Sequence, residues 1–273
     1  MIITDIVREE IWQQIAIHHH ERGGALFGPR GYPVITHFEY DAAAETTPAS
    51  YVPSLHLIGS VARIETERGL QFKGIVHSHP PGYVRPSLGD QLAVESFFAK
   101  NPHFSTMALP IVQTQMPGVD GNRSDFIRWY RGELRKRTQS GFGMPWCARA
   151  EVGGIAVIDD EMQVIPIWEH VSIIVETLAG VGLHLRPEKR LSYVRIQNTQ
   201  LIGVVAKSTV GYEFIYLVSF DYPVVAPIIL YQRQGATLNL CTSWNGLERV
   251  SESLSEICSS LTDAWFTSNR SGQ

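Results

Sequence analysis

The sequence predicts an α/β domain followed by a second unit of α+β type. Helical and strand-like apolar periods alternate up to about residue 135; beyond a polar, glycine-bearing stretch come a helix, a run of strands and a closing helix. The length, 273 residues, suits two domains that each bury a core of their own. We expect a first domain over 1–150 and a second over 151–273, with the boundary between 135 and 170.

Ile6, Val7, Ile11 and Ile15 recur at helical spacing after Asp5, an N-cap residue type, and Gly23-Gly24 ends the pattern, so a helix is expected from Ile6 to His19. "GALFG" and "YPVITHFEY" read as strands around the turn "GPRGYP". "DAAAETTPASYVPS" has no period and reads as an exposed loop, whereas "SLHLIGSVARIETERG" is helical. "QFKGIVHSH" reads as a strand cut off by Pro80-Pro81, and "LGDQLAVESFFAK" as a second strong helix. "RKRTQSGFGMP" reads as a linker or surface loop, and "GGIAVIDDEMQVIPI" as a hairpin around Asp159-Asp160. The second unit is expected to hold the helix "EHVSIIVETLAG", the strands "YVRIQNTQLIGVVAK", "EFIYLVSF" and "APIILYQ", and a helix from about Leu247 to Trp265.

A net charge of −4 with 18% charged residues argues against a nucleic-acid binder and favours a protein or peptide partner. Cys147, Cys241 and Cys258 are odd in number and irregular in spacing, which points away from a disulfide framework and a cysteine zinc knuckle. "MIITDIVREE" lacks the basic and apolar regions of a signal peptide, and "PVVAPIILY" is too short to span a bilayer. A soluble, cytoplasmic protein is expected.

Chemistry concentrates in "GIVHSHPPGYVRPSLGD". On a strand, His77 and His79 share one face and Ser78 takes the other. The turn through Pro80, Pro81 and Gly82 lets Asp90, in the first turn of the next helix, bring a carboxylate to the same point. Two histidines and one aspartate leave a fourth position open on a tetrahedral zinc ion, the layout of a catalytic site. A water bound there has its pKa lowered toward neutrality. Ser87 and Asp90 also fit a helix capping box, a role compatible with ligation. By average residue frequencies, His-x-His, seven residues, Ser, two residues, Asp arises by chance in roughly one chain in a thousand.

"HSHPPGYVRPSLGD" resembles the signature of JAMM metalloproteases of the MPN fold, which cleave ubiquitin or ubiquitin-like proteins from isopeptide bonds or trim the tails of such proteins and of sulfur carriers. The resemblance spans about residues 1 to 135. It implies a cytidine-deaminase-like mixed sheet with flanking helices, zinc as cofactor, and His77, His79 and Asp90 as its ligands. It further implies Ser87 as a donor to the oxyanion, and in "ERGGALFG" it implies Glu21 as general acid/base, moving a proton from the zinc water to the leaving amine. His18, His19 and His20 are read as a polar helix end, since adjacent helical side chains diverge by about 100°.

"EFIYLVSFDYPVVAPIILYQ" and "LNLCTSWNGLERVSESLSEICSSL" are similar to ubiquitin-conjugating enzymes, with Tyr222-Pro223, Pro227 and Trp244 in the expected order. The His-Pro-Asn that precedes the active cysteine of that family is missing, so Cys241 is either catalytic or structural, while Cys258 reads as core. Together the two resemblances imply a bacterial-type fusion that processes or removes a ubiquitin-like modifier. Its partners would be the modifier, its conjugates, and activating-like or conjugating-like enzymes of the same pathway; pathways of this kind are often linked to antiviral defence. The alternatives are a peptidase for a sulfur-carrier tail, a non-catalytic scaffold, and a bifunctional protein with a thioester on Cys241. "ETTPASYVPS" is expected to wall the groove for the modifier's extended tail.

Overall fold

A computed structural model describes residues 1–114, 126–135, 154–197, 199–209, 211–233, 236–240, 243–246 and 248–270. They form two compact units, one spanning Val7–Met162 with Met1, the other Ile2–Ile6 with Gln163–Gln273. Mixed α/β structure occurs in the first, and helices pack with an antiparallel sheet in the second. Among the described residues, no helix is long and apolar enough to cross a membrane. Cys147, Cys241 and nearly all of "RKRTQSGFGMP" lie outside the described residues.

The first unit is built around the strand Leu70–His79. On one side it pairs antiparallel with Gly23–Pro29, which in turn pairs with His37–Tyr40. On the other it runs parallel first to Thr106–Ala108 and then, at His77 to His79, to Ile111–Gln113. Its buried and half-buried positions alternate until the last four residues, all of which are buried. That end carries the chemistry. Gly23 and Gly24 are required by the crowding on their strand: a Cβ on Gly23 would come within 2.6 Å of the Tyr51 ring, and one on Gly24 would strike Phe38 and the Glu39 backbone.

Two helices complete this unit. Leu55–Arg68 begins at Ser54, whose hydroxyl accepts from the Leu57 amide, and stops at Gly69, which has a positive φ of 63°. Leu57, Ser60 and Ile64, at helical spacing, are its buried face; burial of an aliphatic side chain such as Leu57 contributes about 1.5–3 kcal/mol. Leu88–Lys100 buries Val94 and Phe98.

Three local expectations are corrected. The first helix runs from Asp5 to Ile11, continues as a π-helical turn over Trp12–Ala16, and ends before the histidines. That turn buries Trp12, Ile15 and Ala16, with Trp12 edge-on to Phe126 at 5.0 Å, so packing decides where the helix stops. The presumed loop contains a hairpin of Glu45–Thr47 and Ser50–Val52, whose three-residue strands are too short to show a period. "GGIAVIDDEMQVIPI" is not a hairpin: Gly154–Asp159 pairs antiparallel with Tyr130–Arg135, and Gln163–Ile165 pairs parallel with Ile2–Thr4.

In the second unit the strands Thr199–Ser208, Tyr212–Val218, Ile228–Arg233 and Ala236–Leu240 form an antiparallel meander, with Leu185–Pro187 and Ser192–Ile196 also paired to the first of them. Helix Ile167–Gly180 buries Ile167, Val171, Ile174 and Leu178, and helix Val250–Arg270 buries Leu254, Ile257, Cys258 and Leu261. No side chain of its own N-cap residue, Pro166, caps Ile167–Gly180; Asp5 does so instead, accepting from the amides of Trp168 (3.1 Å) and Glu169 (2.8 Å). Burial pushes the Asp5 carboxyl above its ordinary pKa despite these bonds.

Candidate metal centre

Strand alternation puts His77 and His79 on one side of Leu70–His79, and both are buried, at 5% and 6% exposure. Their Nε2 atoms lie 3.0 Å apart. Asp90, third residue of helix Leu88–Lys100, sets Oδ1 3.1 Å from His77 Nε2 and Oδ2 3.3 Å from His79 Nε2. A tetrahedral zinc ion with bonds of about 2.0–2.1 Å spaces its ligand atoms about 3.3 Å apart. The two imidazole nitrogens and the Asp90 carboxylate therefore converge at separations close to that spacing, and the donor set could hold a metal ion.

Proton bookkeeping supports that fit. His79 Nδ1 is 3.2 Å from the Tyr83 carbonyl, which can only accept, so Nδ1 carries the proton and a neutral ring presents its Nε2 lone pair to Asp90. A lone pair facing a carboxylate is repulsive unless a cation or an added proton lies between them. With no metal, protons take that place. Burial pulls His79 down, but its bond to Asp90 and the charges of Asp90 and Glu21 outweigh it and hold the imidazole above its ordinary pKa. Burial raises the Asp90 carboxyl, and the bonds from His77 and His79 overcome this and hold it well below the carboxylate range.

Glu21 is 5% exposed and precedes strand Gly23–Pro29. Burial lifts its carboxyl above the ordinary range against the pull of the two histidines. Ser87 caps helix Leu88–Lys100: its Oγ accepts from the Asp90 amide at 3.2 Å, and its own amide donates to Asp90 Oδ2 at 2.6 Å. One Asp90 carboxylate thus closes the cap and faces the histidines. His18 to His20 lie beyond the first helix in irregular chain, and they are not part of the His77, His79 and Asp90 group.

Other contributors were not anticipated. Ser78, on the opposite face from the histidines, accepts from the Arg22 amide at 2.9 Å and donates its own amide to the Arg22 carbonyl at 2.8 Å, fastening the Glu21 segment to the ligand strand. Tyr130 donates to the Val84 carbonyl at 2.9 Å and so holds the loop that supplies the Tyr83 carbonyl. A serine between two histidines was the available signal for the first; nothing local marked the second.

No family model matches the chain, and no curated protein matches it. Among solved structures it is similar to a Desulfitobacterium hafniense protein, at 16% identity over 61% of this chain and 94% of that one, with a TM-score of 0.40. It is also similar to a JAB1/MPN domain protein from Archaeoglobus fulgidus, at 17% identity over 60% of this chain and 98% of that one, with a TM-score of 0.30.

Proposed function

We propose that the chain is a zinc-dependent JAMM-type peptidase of the cytoplasm that processes or deconjugates a ubiquitin-like modifier. The observation that carries the proposal is the His77, His79 and Asp90 group, in which two imidazole Nε2 atoms and a carboxylate converge within 3.3 Å and one imidazole is fixed in its tautomer by the Tyr83 carbonyl. The JAMM signature in the sequence and the buried Glu21, whose carboxyl burial raises above its ordinary pKa, support the same reading.

Zinc bound to His77, His79 and Asp90 would act as a Lewis acid and make a water nucleophilic near neutral pH. Glu21, its carboxyl raised by burial, takes the proton of the attacking water and passes it to the leaving amine. Ser87 donates a hydrogen bond to the carbonyl oxygen as negative charge develops there. The hairpin Glu45–Val52 walls the groove for the modifier's extended tail; the Glu21 amide donates to the Thr47 carbonyl at 3.0 Å, so that wall is joined to the general base.

The second unit is read as a domain of the ubiquitin-conjugating type that recruits the modifier or enzymes of its pathway. In support, a helix leads into an antiparallel meander, Tyr222 stacks on Trp244 at 5.6 Å, and the helix Val250–Arg270 follows. A thioester on Cys241 remains part of this proposal as a second activity.

Zinc stoichiometry of the purified chain tests the central reading. One zinc per chain, removed by chelation together with hydrolysis of a modifier conjugate, is the expected result. A protein that holds no zinc and loses nothing to a chelator is a scaffold, and the peptidase proposal falls.

A further inference from the structure

Gly23–Pro29 and the hairpin meet at Tyr51. Its ring lies nearly parallel to the His77 imidazole, with centroids 6.0 Å apart and planes at 15°. The ring occupies the space beside Gly23, where a Cβ would come within 2.5 Å of it, and Gly23 is the register partner of His77. The phenol donates to Asp41 Oδ2 at 3.3 Å. Asp41, only 4% exposed, also accepts from the Ser54 amide at 2.8 Å and the Ser54 hydroxyl at 2.5 Å, and Ser54 caps helix Leu55–Arg68. Asp41 thus holds both the hairpin's second strand and the helix start against the end of strand His37–Tyr40.

We propose that Tyr51 is a positioning residue for His77: its ring fixes the plane of the imidazole so that Nε2 faces Asp90. The need is visible in the bonding of the two histidines. His79 has the Tyr83 carbonyl on Nδ1 to set its orientation, whereas His77 has the Tyr51 ring parallel to it at 6.0 Å and the His79 ring edge-on at 4.8 Å. Orienting groups around a ligand typically change metal affinity 10- to 100-fold when removed. The proposal rests on the reading of His77, His79 and Asp90 as a metal site, and its test separates the two.

Zinc affinity by chelator competition, and the His77 ring proton shifts of the metal-free protein, should be measured for the full chain and for Tyr51→Leu and Tyr51→Phe. Tyr51→Leu is expected to bind zinc roughly tenfold more weakly and to lose the ring-current shift of His77. Tyr51→Phe keeps the stack, so it is expected to regain most of the affinity and the shift. Equal affinity and unchanged shifts in Tyr51→Leu overturn the brace. If Tyr51→Leu does not fold, Tyr51→Phe decides: the brace requires His77 ring signals close to those of the parent, and loss of their shift overturns it. A parent protein that binds no zinc strikes the proposed function instead, while the shifts in the metal-free chain still judge the brace.

Discussion

Each unit buries histidine within a polar cluster, and the two differ in where their polar atoms find partners. In the second unit His170, 6% exposed, contacts the Tyr222 hydroxyl through Nδ1; Tyr222 bonds Tyr216 at 2.8 Å, and Trp244 donates to the Pro223 carbonyl at 2.8 Å. These polar atoms find partners within the unit, and burial holds His170 below its ordinary pKa and both tyrosines above theirs. In the first unit two imidazole nitrogens and a carboxylate converge on one point and are reconciled only by protons or a cation. A buried histidine alone therefore says little about function. Polar groups that the chain brings together but cannot satisfy from within mark the site.

The comparison breaks most sharply at Glu21. Glu21→Gln is expected to keep the zinc, since the ligands are untouched, and to lower turnover by about 10²–10⁴, the usual yield of a positioned acid/base. Single-turnover hydrolysis beside zinc analysis reads both; turnover near that of the parent would remove Glu21 from the chemistry. Ser87→Ala comes next, with a barrier increase of about 2.7–4 kcal/mol if the hydroxyl meets the oxyanion. The variant also loses a helix cap, worth about 1 kcal/mol of stability. Ser87→Gly keeps most of the cap and separates the roles: restored stability with turnover still low is expected.

The same contrast explains what could be read from the sequence. His77, His79 and Asp90 were legible because strand alternation and the spacing of a helix cap are local rules, and both converge within fourteen residues, from His77 to Asp90. Glu21 was legible only through the family resemblance that "ERGGALFG" carries. The supports were not. Tyr51 acts from a hairpin of three-residue strands, Ser78 from the face opposite its neighbours, and Asp5 caps a helix that starts at Ile167. The parallel pairing of Ile2–Thr4 with Gln163–Ile165 leaves no local trace at all. Sequence periodicity reports what each element buries, whereas these contacts depend on which distant element arrives.

In the second unit the matched cluster should answer to stability alone. Tyr222 is fully buried. Tyr222→Phe removes a hydroxyl shared by His170 and Tyr216, and leaving a buried partner unsatisfied costs about 1–3 kcal/mol. Denaturant unfolding is expected to show that loss, with zinc affinity unchanged. A change in zinc binding of tenfold or more would mean the clusters are not independent.

The smallest effect is a pH dependence, and its sign follows from His170. Burial lowers its folded pKa below the ordinary histidine value of 6.5, so as pH falls through 6.5 the unfolded chain takes up a proton that the folded chain refuses. Stability contributed by the neutral imidazole is therefore complete above 6.5 and declines below it, levelling once pH passes the folded pKa. The slope from one such group is at most about 1.4 kcal/mol per pH unit. His170→Gln can still hydrogen-bond to Tyr222 but does not titrate. Unfolding followed by tryptophan fluorescence should lose stability as pH falls from about 7.5 to about 5.5 in the parent and lose less in the variant. Parallel pH profiles would show that His170 takes up its proton in the folded state as readily as in the unfolded one, and the sealed cluster would then be open to water.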